Sequence, residues 1–380
     1  MMICSTRWQL SVFKYEGNEL MTYPPREVQV KGPAMVLRFF RQITDCPRTR
    51  MMLLDKFDLA EFDDTILKYP KLTWLDMSRN NMMKIPAEIR QLQFAELVNL
   101  SHNKLGGMPR ILCMMQTITD LALDGNGIER IEPSIMLLTA LTRLSLCENR
   151  INRIHPSVFR LTNLELLNFN SNELSKVPAQ IASLNKLDSL GLGSNVIEEI
   201  PSEIRFLTAL RQLVLYGNNL SSLPNGLRSL TKLEVLTVSQ NGLREFPPSI
   251  AMGLINLREL WLTHNKLKFI PTEIRFMSKL EQLWLQDNRL YVLPWELGNL
   301  TSLKVLTLTG NKIDEIPQHI KDLRIYKEEN RKPLEEFWQD KEKNPFTMKD
   351  ADKLLMQWYV SVPNATPGIS SNDQQSFTEH

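Results

Sequence analysis

The sequence predicts an α/β solenoid: a curved horseshoe with a parallel β-sheet on its concave face, short helical or 3-10 turns on its convex face, and a cap at each end. Three observations predict it. Asparagine recurs at Asn80, Asn103, Asn126, Asn149, Asn172, Asn195, Asn218, Asn241, Asn265, Asn288 and Asn311, spaced by 23 residues with one step of 24. Around each runs the frame L-x-x-L-x-L-x-x-N-x-L-x-x-I-P, clean at Leu210, Leu213, Leu215, Asn218, Leu220, Leu223 and Pro224. Within that frame L-x-L alternates with period two, which is a short strand with one apolar face. A single copy cannot bury its leucines alone, so the copies must stack.

Taken in order, residues 1–48 form an N-terminal capping segment. In it "RWQLSVFKY" is a candidate strand and "AMVLRFFRQI" a candidate helix. Residues 49–323 form the solenoid. Its first copy, residues 49–71, is degenerate: Met52, Leu54, Leu59, Phe62 and Ile66 take the apolar slots, and Phe57 stands where Asn would. Eleven full copies follow. In each, the Asn sits where the chain leaves the strand, with its amide placed to bond backbone groups of its own and the neighbouring coil. The proline then directs the return. "PAEIRQL", "PSEIRFL" and "PTEIRFM" put Pro at a first helical position with Glu in the first turn. After Asn126 and Asn149 the pair becomes Ile131-Glu132-Pro133 and Ile154-His155-Pro156, which predicts returns shifted by one residue. The extra residue before Asn265, around "PPSIAMGLINL", is expected to bulge on the convex side.

Residues 324–362 are expected to form a helical C-terminal cap. "RKPLEEFWQDKEK" groups Leu334, Phe337 and Trp338. "TMKDADKLLMQWYV" opens with Thr347 and Asp350 as a capping box and carries Leu354, Leu355, Trp358 and Tyr359 as an apolar stripe. The same stripe also suits a docking helix. Residues 363–380, rich in Ser, Asn, Gln and Pro, are expected to be a disordered tail.

The repeat resembles the leucine-rich repeat family over about residues 72–323. Its "xIPxxI" second half is similar to the intracellular class found in Ras-suppressor, Shoc-type and Scribble/Erbin-type scaffold proteins. The resemblance implies a curved solenoid that binds other proteins on its concave side, small GTPases or phosphatase assemblies among them. No good match to the basic-Val-x-Phe docking motif of phosphatase partners occurs, which argues against direct phosphatase targeting.

Composition narrows the class further. A net charge of +2 over 380 residues gives no global pull toward nucleic acid or an anionic membrane. Cys4, Cys46, Cys113 and Cys147 are too scattered for a disulfide framework or zinc site. Neither a signal-like start nor an apolar run of membrane-spanning length is present, so a cytoplasmic protein without a membrane span is expected.

Chemistry is absent from the pattern. His102 and His264 both face inward but lie seven strands apart. Cys147 lacks a nearby base, and Asp120 and Asp124, four residues apart on one strand and facing the same way, lack a pocket that would raise a pKa. No phosphate-binding or catalytic motif occurs, so neither an enzyme nor a cofactor is expected.

The inner surface carries the candidate site. Side chains between the leucines point there, at six, four, two and one residues before each Asn. Trp261 and Trp284 share one column on neighbouring strands, with Glu259, His264, Gln282 and Asp287 around them. Tyr216 and Trp74 are the other large aromatics of this face. Paired aromatics exposed to water are binding anchors, or else a cross-strand stack that stabilises the sheet. Asp76, Asp120, Asp124, Glu148, Glu259 and Asp287 face inward against Arg79 and Arg143, which repels nucleic acid and favours a partner protein with a basic surface. The sequence therefore reads as a non-enzymatic scaffold or regulator, with a small GTPase as partner on the resemblance alone. The second reading is a structural subunit of a cytoskeletal or ciliary assembly that uses its caps and tail as contacts.

Overall fold

A computed structural model describes residues 23–321. The candidate strand "RWQLSVFKY", the cap over 324–362 and the tail over 363–380 lie outside the described residues.

Twelve strands of three residues each, from β1 (Met51–Leu53) to β12 (Val305–Thr307), form one open parallel sheet in strictly sequential order. Each strand pairs with the next one repeat on, so Leu213 lies between Leu190 and Leu236. The sequence repeat thus becomes a spatial column: the leucines of the frame stack on their copies and are buried along the array, with Leu105 and Leu308 only partly so. The core is a continuous apolar spine between the sheet and the convex turns.

The asparagines stitch the coils together. Asn195 donates from Nδ2 to the carbonyls of Leu192 and Gly193 at 3.1 and 3.0 Å, and to Phe169 in the preceding repeat at 2.9 Å. Its Oδ1 accepts the Leu174 N–H at 2.9 Å. The same pattern recurs along the array, as at Asn80 and Asn288. Satisfying these carbonyls matters because each buried polar group left unpaired costs about 1–3 kcal/mol. The residue before each Asn adopts a left-handed backbone, with φ between 51° and 71°. Only Gly125, Gly217 and Gly310 among these are glycine. The others carry about 1–2 kcal/mol of local strain, which the Asn bonds hold in place.

Two expectations about the convex side are corrected. Every return helix begins seven residues after its Asn, at Ala87 after Asn80 and equally at Pro133 after Asn126 and Pro156 after Asn149. The return therefore does not shift; only the proline moves. In the "IP" repeats it is the N-cap residue, as Pro86, Pro201 and Pro271 are, rather than the first helical residue. Pro133 and Pro156, like Pro248, take the first helical position, where a missing N–H is harmless.

The second correction concerns the 24-residue step. Its extra residue forms no bulge. It turns a five-residue 3-10 return into a six-residue α-helix, Pro248–Gly253.

At the N-terminal end, a short helix α1 (Arg26–Gln29) precedes α2 (Pro33–Thr49), which lies against β1. Phe57, in the Asn slot, is fully buried and packs edge-on to Phe39 of α2 at 5.5 Å between ring centroids. The Arg38 guanidinium lies over the same ring, 4.9 Å from its centroid. An aromatic thus fills, by packing, the place that hydrogen bonds fill in later copies. The six-residue return is α3 (Pro248–Gly253), and α4 (Gln318–Lys321) follows the last strand.

Candidate functional site

The concave face is built from the columns between the buried leucines. In β10 (Glu259–Trp261) and β11 (Gln282–Trp284) the register sets Glu259 beside Gln282 and Trp261 beside Trp284. On the flanks, Thr237 of β9 (Val235–Thr237) lies next to Trp261, and Thr307 lies next to Trp284. Strand register alone therefore brings four of the candidate residues together.

The two indoles are not splayed toward solvent. Their centroids lie 5.1 Å apart with planes tilted by 32°. Trp284 is only 8% exposed, and Trp261 keeps an intermediate exposure. The expectation of two exposed tryptophans is thus corrected: the rings stack on each other, Trp284 is buried and Trp261 is half-buried.

Each ring N–H is held within its own strand. Trp261 Nε1 donates to Glu259 Oε2 and Trp284 Nε1 to Gln282 Oε1, both at 3.2 Å. Gln282 Nε2 donates to Glu259 Oε1 at 3.5 Å and closes the set. Burial raises the Glu259 carboxyl above the usual range; the Trp261 N–H works against this, and nearby Glu281 adds to it.

His264 and Asp287 lie beyond the strands, in the left-handed position before Asn265 and Asn288. His264 Nδ1 is 3.4 Å from Asp287 Oδ2, an ion pair once the imidazole is protonated. Tyr216 is 6% exposed and lies over Gly193, where an added Cβ would meet its ring at 2.5 Å. It belongs to the repeat of β8 (Gln212–Val214), two strands from β10. Trp74 starts β2 (Trp74–Asp76), eight strands away, so neither joins the tryptophan pair.

The N-terminal acids of this face are largely engaged within the protein. Asp120 pairs with Arg143 at 3.1 Å. Asp76 accepts from the Ser78 N–H at 2.8 Å and from Asn99 Nδ2 at 3.1 Å. Asp124 is buried and accepts from Ser145 Oγ at 2.5 Å, the Cys147 N–H at 2.7 Å and Ser101 Oγ at 3.4 Å. The expectation that nothing raises a pKa there is corrected: desolvation pushes Asp124 up to about 6 against its hydrogen bonds. Its oxygens are taken by hydroxyls and a backbone N–H of neighbouring repeats, which is a structural role. Among the described residues, no cluster of His, Cys, Asp and Glu is placed to hold a metal ion.

Four inward side chains were not singled out from the sequence. Thr237, Ser239, Thr263 and Gln286 are 2–6% exposed, yet their Oγ or Oε1 atoms have no hydrogen-bond partner among the described residues. Thr237 ends β9 next to Trp261, and Ser239, Thr263 and Gln286 lie two residues after the last residue of β9, β10 and β11. Their small polar side chains look bland in sequence; only the curvature that buries them gives them weight.

Comparison with known proteins agrees with this architecture. The family model for the leucine rich repeat matches residues 139–197 and 231–290, and that for two-copy leucine rich repeats matches 278–322. A leucine-rich repeat protein of Leptospira interrogans is 31% identical, over 70% of this chain and 68% of that one, with a TM-score of 0.67. An internalin of Listeria monocytogenes, 20% identical over 74% of this chain and 87% of that one, shares the fold with a TM-score of 0.60. A chain from an octameric complex of latrophilin 3, Unc5D and the leucine-rich repeat protein FLRT2 is 25% identical over 75% and 88%, with a TM-score of 0.60. No curated protein matches the sequence. The chain belongs to the leucine-rich repeat family, whose domains mediate protein–protein interaction. Among the described residues no helix is long and apolar enough to cross a membrane.

Proposed function

We propose that this protein is a non-enzymatic scaffold or regulator that grips a partner protein in its concave groove, with Trp261 and Trp284 as anchors and Glu259, His264, Gln282 and Asp287 setting specificity. The observation that carries this reading is the tryptophan pair stacked across β10 and β11 of the concave face, with Glu259 and Gln282 bonded to its ring N–H groups and four buried polar atoms beside it without a partner among the described residues. A stacked aromatic pair returns about 0.5–1.5 kcal/mol beyond its burial. The unpaired atoms of Thr237, Ser239, Thr263 and Gln286 cost about 1–3 kcal/mol each. Buried groups without partners beside an aromatic pair are the local inconsistency expected of a binding site.

The partner surface is basic at the point of contact, because Glu259 and Asp287 rim the pair. A small GTPase fits the resemblance to the Ras-suppressor and Shoc-type class. Buried thiols at Cys46 and Cys113 suit a reducing, cytoplasmic setting. Tyr216 and Trp74 would extend contacts along the groove toward its centre and its N-terminal end.

The test is affinity capture from native cell extract with wild type and with the Trp261→Ala/Trp284→Ala double variant, with circular dichroism to establish folding. The reading expects a defined set of partners to disappear with the two rings. Retention of every partner by a folded double variant rejects the groove as the binding site.

A further inference from the structure

A second surface lies on the edge where the chain leaves the last strands. The residue after the Asn is Lys266, Arg289 and Lys312 in three successive repeats. Backbone bonds stack these positions: the N–H of Lys266 donates to the Leu243 carbonyl, that of Arg289 to Leu267 and that of Lys312 to Leu290, each at 2.8 Å. Further along, the Tyr291 N–H donates to the Lys268 carbonyl at 3.4 Å, which sets Lys268-Phe269 beside Tyr291-Val292. All these side chains are exposed, Phe269 by 40%, Tyr291 by 54% and Val292 by 50%. None of the four cations has an ion pair or a side-chain hydrogen bond among the described residues. The cations that precede the strands differ: Arg211, Arg258 and Lys304 are each held by a neighbouring acid. In the slots one, three and four residues past the Asn, acids stand at the two ends of this stretch, Glu245 before it and Asp314 and Glu315 after it. The two repeats between carry three cations and three apolar side chains.

Unpaired cations interleaved with exposed apolar groups call for a surface that is both anionic and apolar. These apolar side chains protrude, so that surface must also yield to them. An anionic bilayer meets all three needs. Its headgroups attract lysine and arginine, tyrosine favours the headgroup level, and apolar side chains enter the boundary beneath. Single-stranded nucleic acid would stack its bases on aromatic rings and gains nothing from Val292.

We propose that the edge formed by Lys266, Lys268, Phe269, Arg289, Tyr291 and Val292 docks on an anionic membrane surface. The chain lies on the bilayer and does not cross it there. The net charge of +2 hides this patch, because acids elsewhere in the chain balance it. The proposal is independent of the groove reading, although the same two repeats carry both surfaces.

The test is sedimentation of the full chain with vesicles of phosphatidylcholine alone and of phosphatidylcholine mixed with phosphatidylserine. The anionic vesicles are expected to carry the protein down, the neutral ones to leave it in solution, and high salt to release it. Lys266→Ala/Lys268→Ala/Arg289→Ala is expected to weaken binding about a hundredfold, at about fivefold for each cation. Phe269→Ser/Val292→Ser is expected to weaken it about tenfold. Phe206→Ser removes a phenyl of similar exposure, 48%, from the return Ser202–Phe206 and is expected to change nothing. Circular dichroism establishes that each variant is folded. No sedimentation with anionic vesicles, full binding by either multiple variant, or an equal loss in Phe206→Ser overturns the proposal. Capture by soluble poly-glutamate as strong as by vesicles, and unmoved by Phe269→Ser/Val292→Ser, also overturns it and gives the patch to an acidic partner protein.

Discussion

At the scale of single residues, the inner face shows that one slot can hold very different solutions. Two residues before Asn172 stands Asn170, whose Oδ1 accepts the Gly193 N–H at 2.7 Å. Two residues before Asn126 stands Asp124, which accepts the Cys147 N–H at the same distance. The amide bears no charge, whereas the carboxylate is desolvated and its pKa rises from 3.8 to about 6. Between those two values the folded state keeps a proton that the unfolded chain has released. Stability contributed by this group is therefore full below pH 3.8 and falls as pH rises toward 6, by on the order of 3 kcal/mol. Asp124→Asn, for which Asn170 is the precedent, removes that loss. Urea unfolding should show the variant gaining on wild type by on the order of 3 kcal/mol between about pH 4 and about pH 7. Parallel stability profiles for the two proteins would mean that Asp124 does not titrate in this window.

At the scale of elements, the step of 24 residues shows how a solenoid absorbs an insertion. The six-residue α3 keeps the start of the return fixed at seven residues after Asn241 and lengthens only the helix. Its last residue, Gly253, passes so close to the neighbouring turn that an added Cβ would lie 2.2 Å from the Arg228 carbonyl oxygen. Gly253→Ala must displace backbone, and overpacking of that kind costs about 1–3 kcal/mol. Gly107→Ala, where nothing lies within 4 Å, is the matched control and should be near neutral in thermal unfolding. Equal melting of the two variants would mean that the α3 turn yields without cost. The strands, the Asn slots and the columns of the groove were legible in the sequence, because a fixed repeat translates directly into register. The placement of the prolines was not, because the eye follows Pro133 and Pro156 while the helix start follows the Asn. The stack of Trp261 on Trp284 was legible as a shared column, but its closure was not. Exposure depends on sheet curvature, which no single repeat encodes. The alternating rim of Asp188, Arg211, Glu234, Arg258, Glu281 and Lys304, joined pairwise by ion pairs, also emerges only when the copies are laid side by side.

At the scale of the whole molecule, the sheet has no long-range closure: each strand touches only the strand before and the strand after it. The turns on the convex side repeat the same neighbour-to-neighbour order, as between the 3-10 returns at Ser202–Phe206 and Asn225–Ser229. Stability is then a sum of repeat and interface contributions, and a defect is felt locally. Leu213, fully buried in β8, meets Leu190 and Leu236 on either side. Leu213→Ala should weaken that interface by about 2–5 kcal/mol, the usual range for a buried leucine. In native-state hydrogen exchange, protection should drop in the repeats centred on Asn195, Asn218 and Asn241, while those around Asn103 and Asn126 keep theirs. A globular core would lose protection everywhere together, because all its parts share one unfolding step. A uniform drop across the array would therefore refute the linear description. A local drop carries a functional consequence as well: the tryptophan pair, on β10 and β11 beyond those three repeats, should stay ordered, as should the Asp124 cluster.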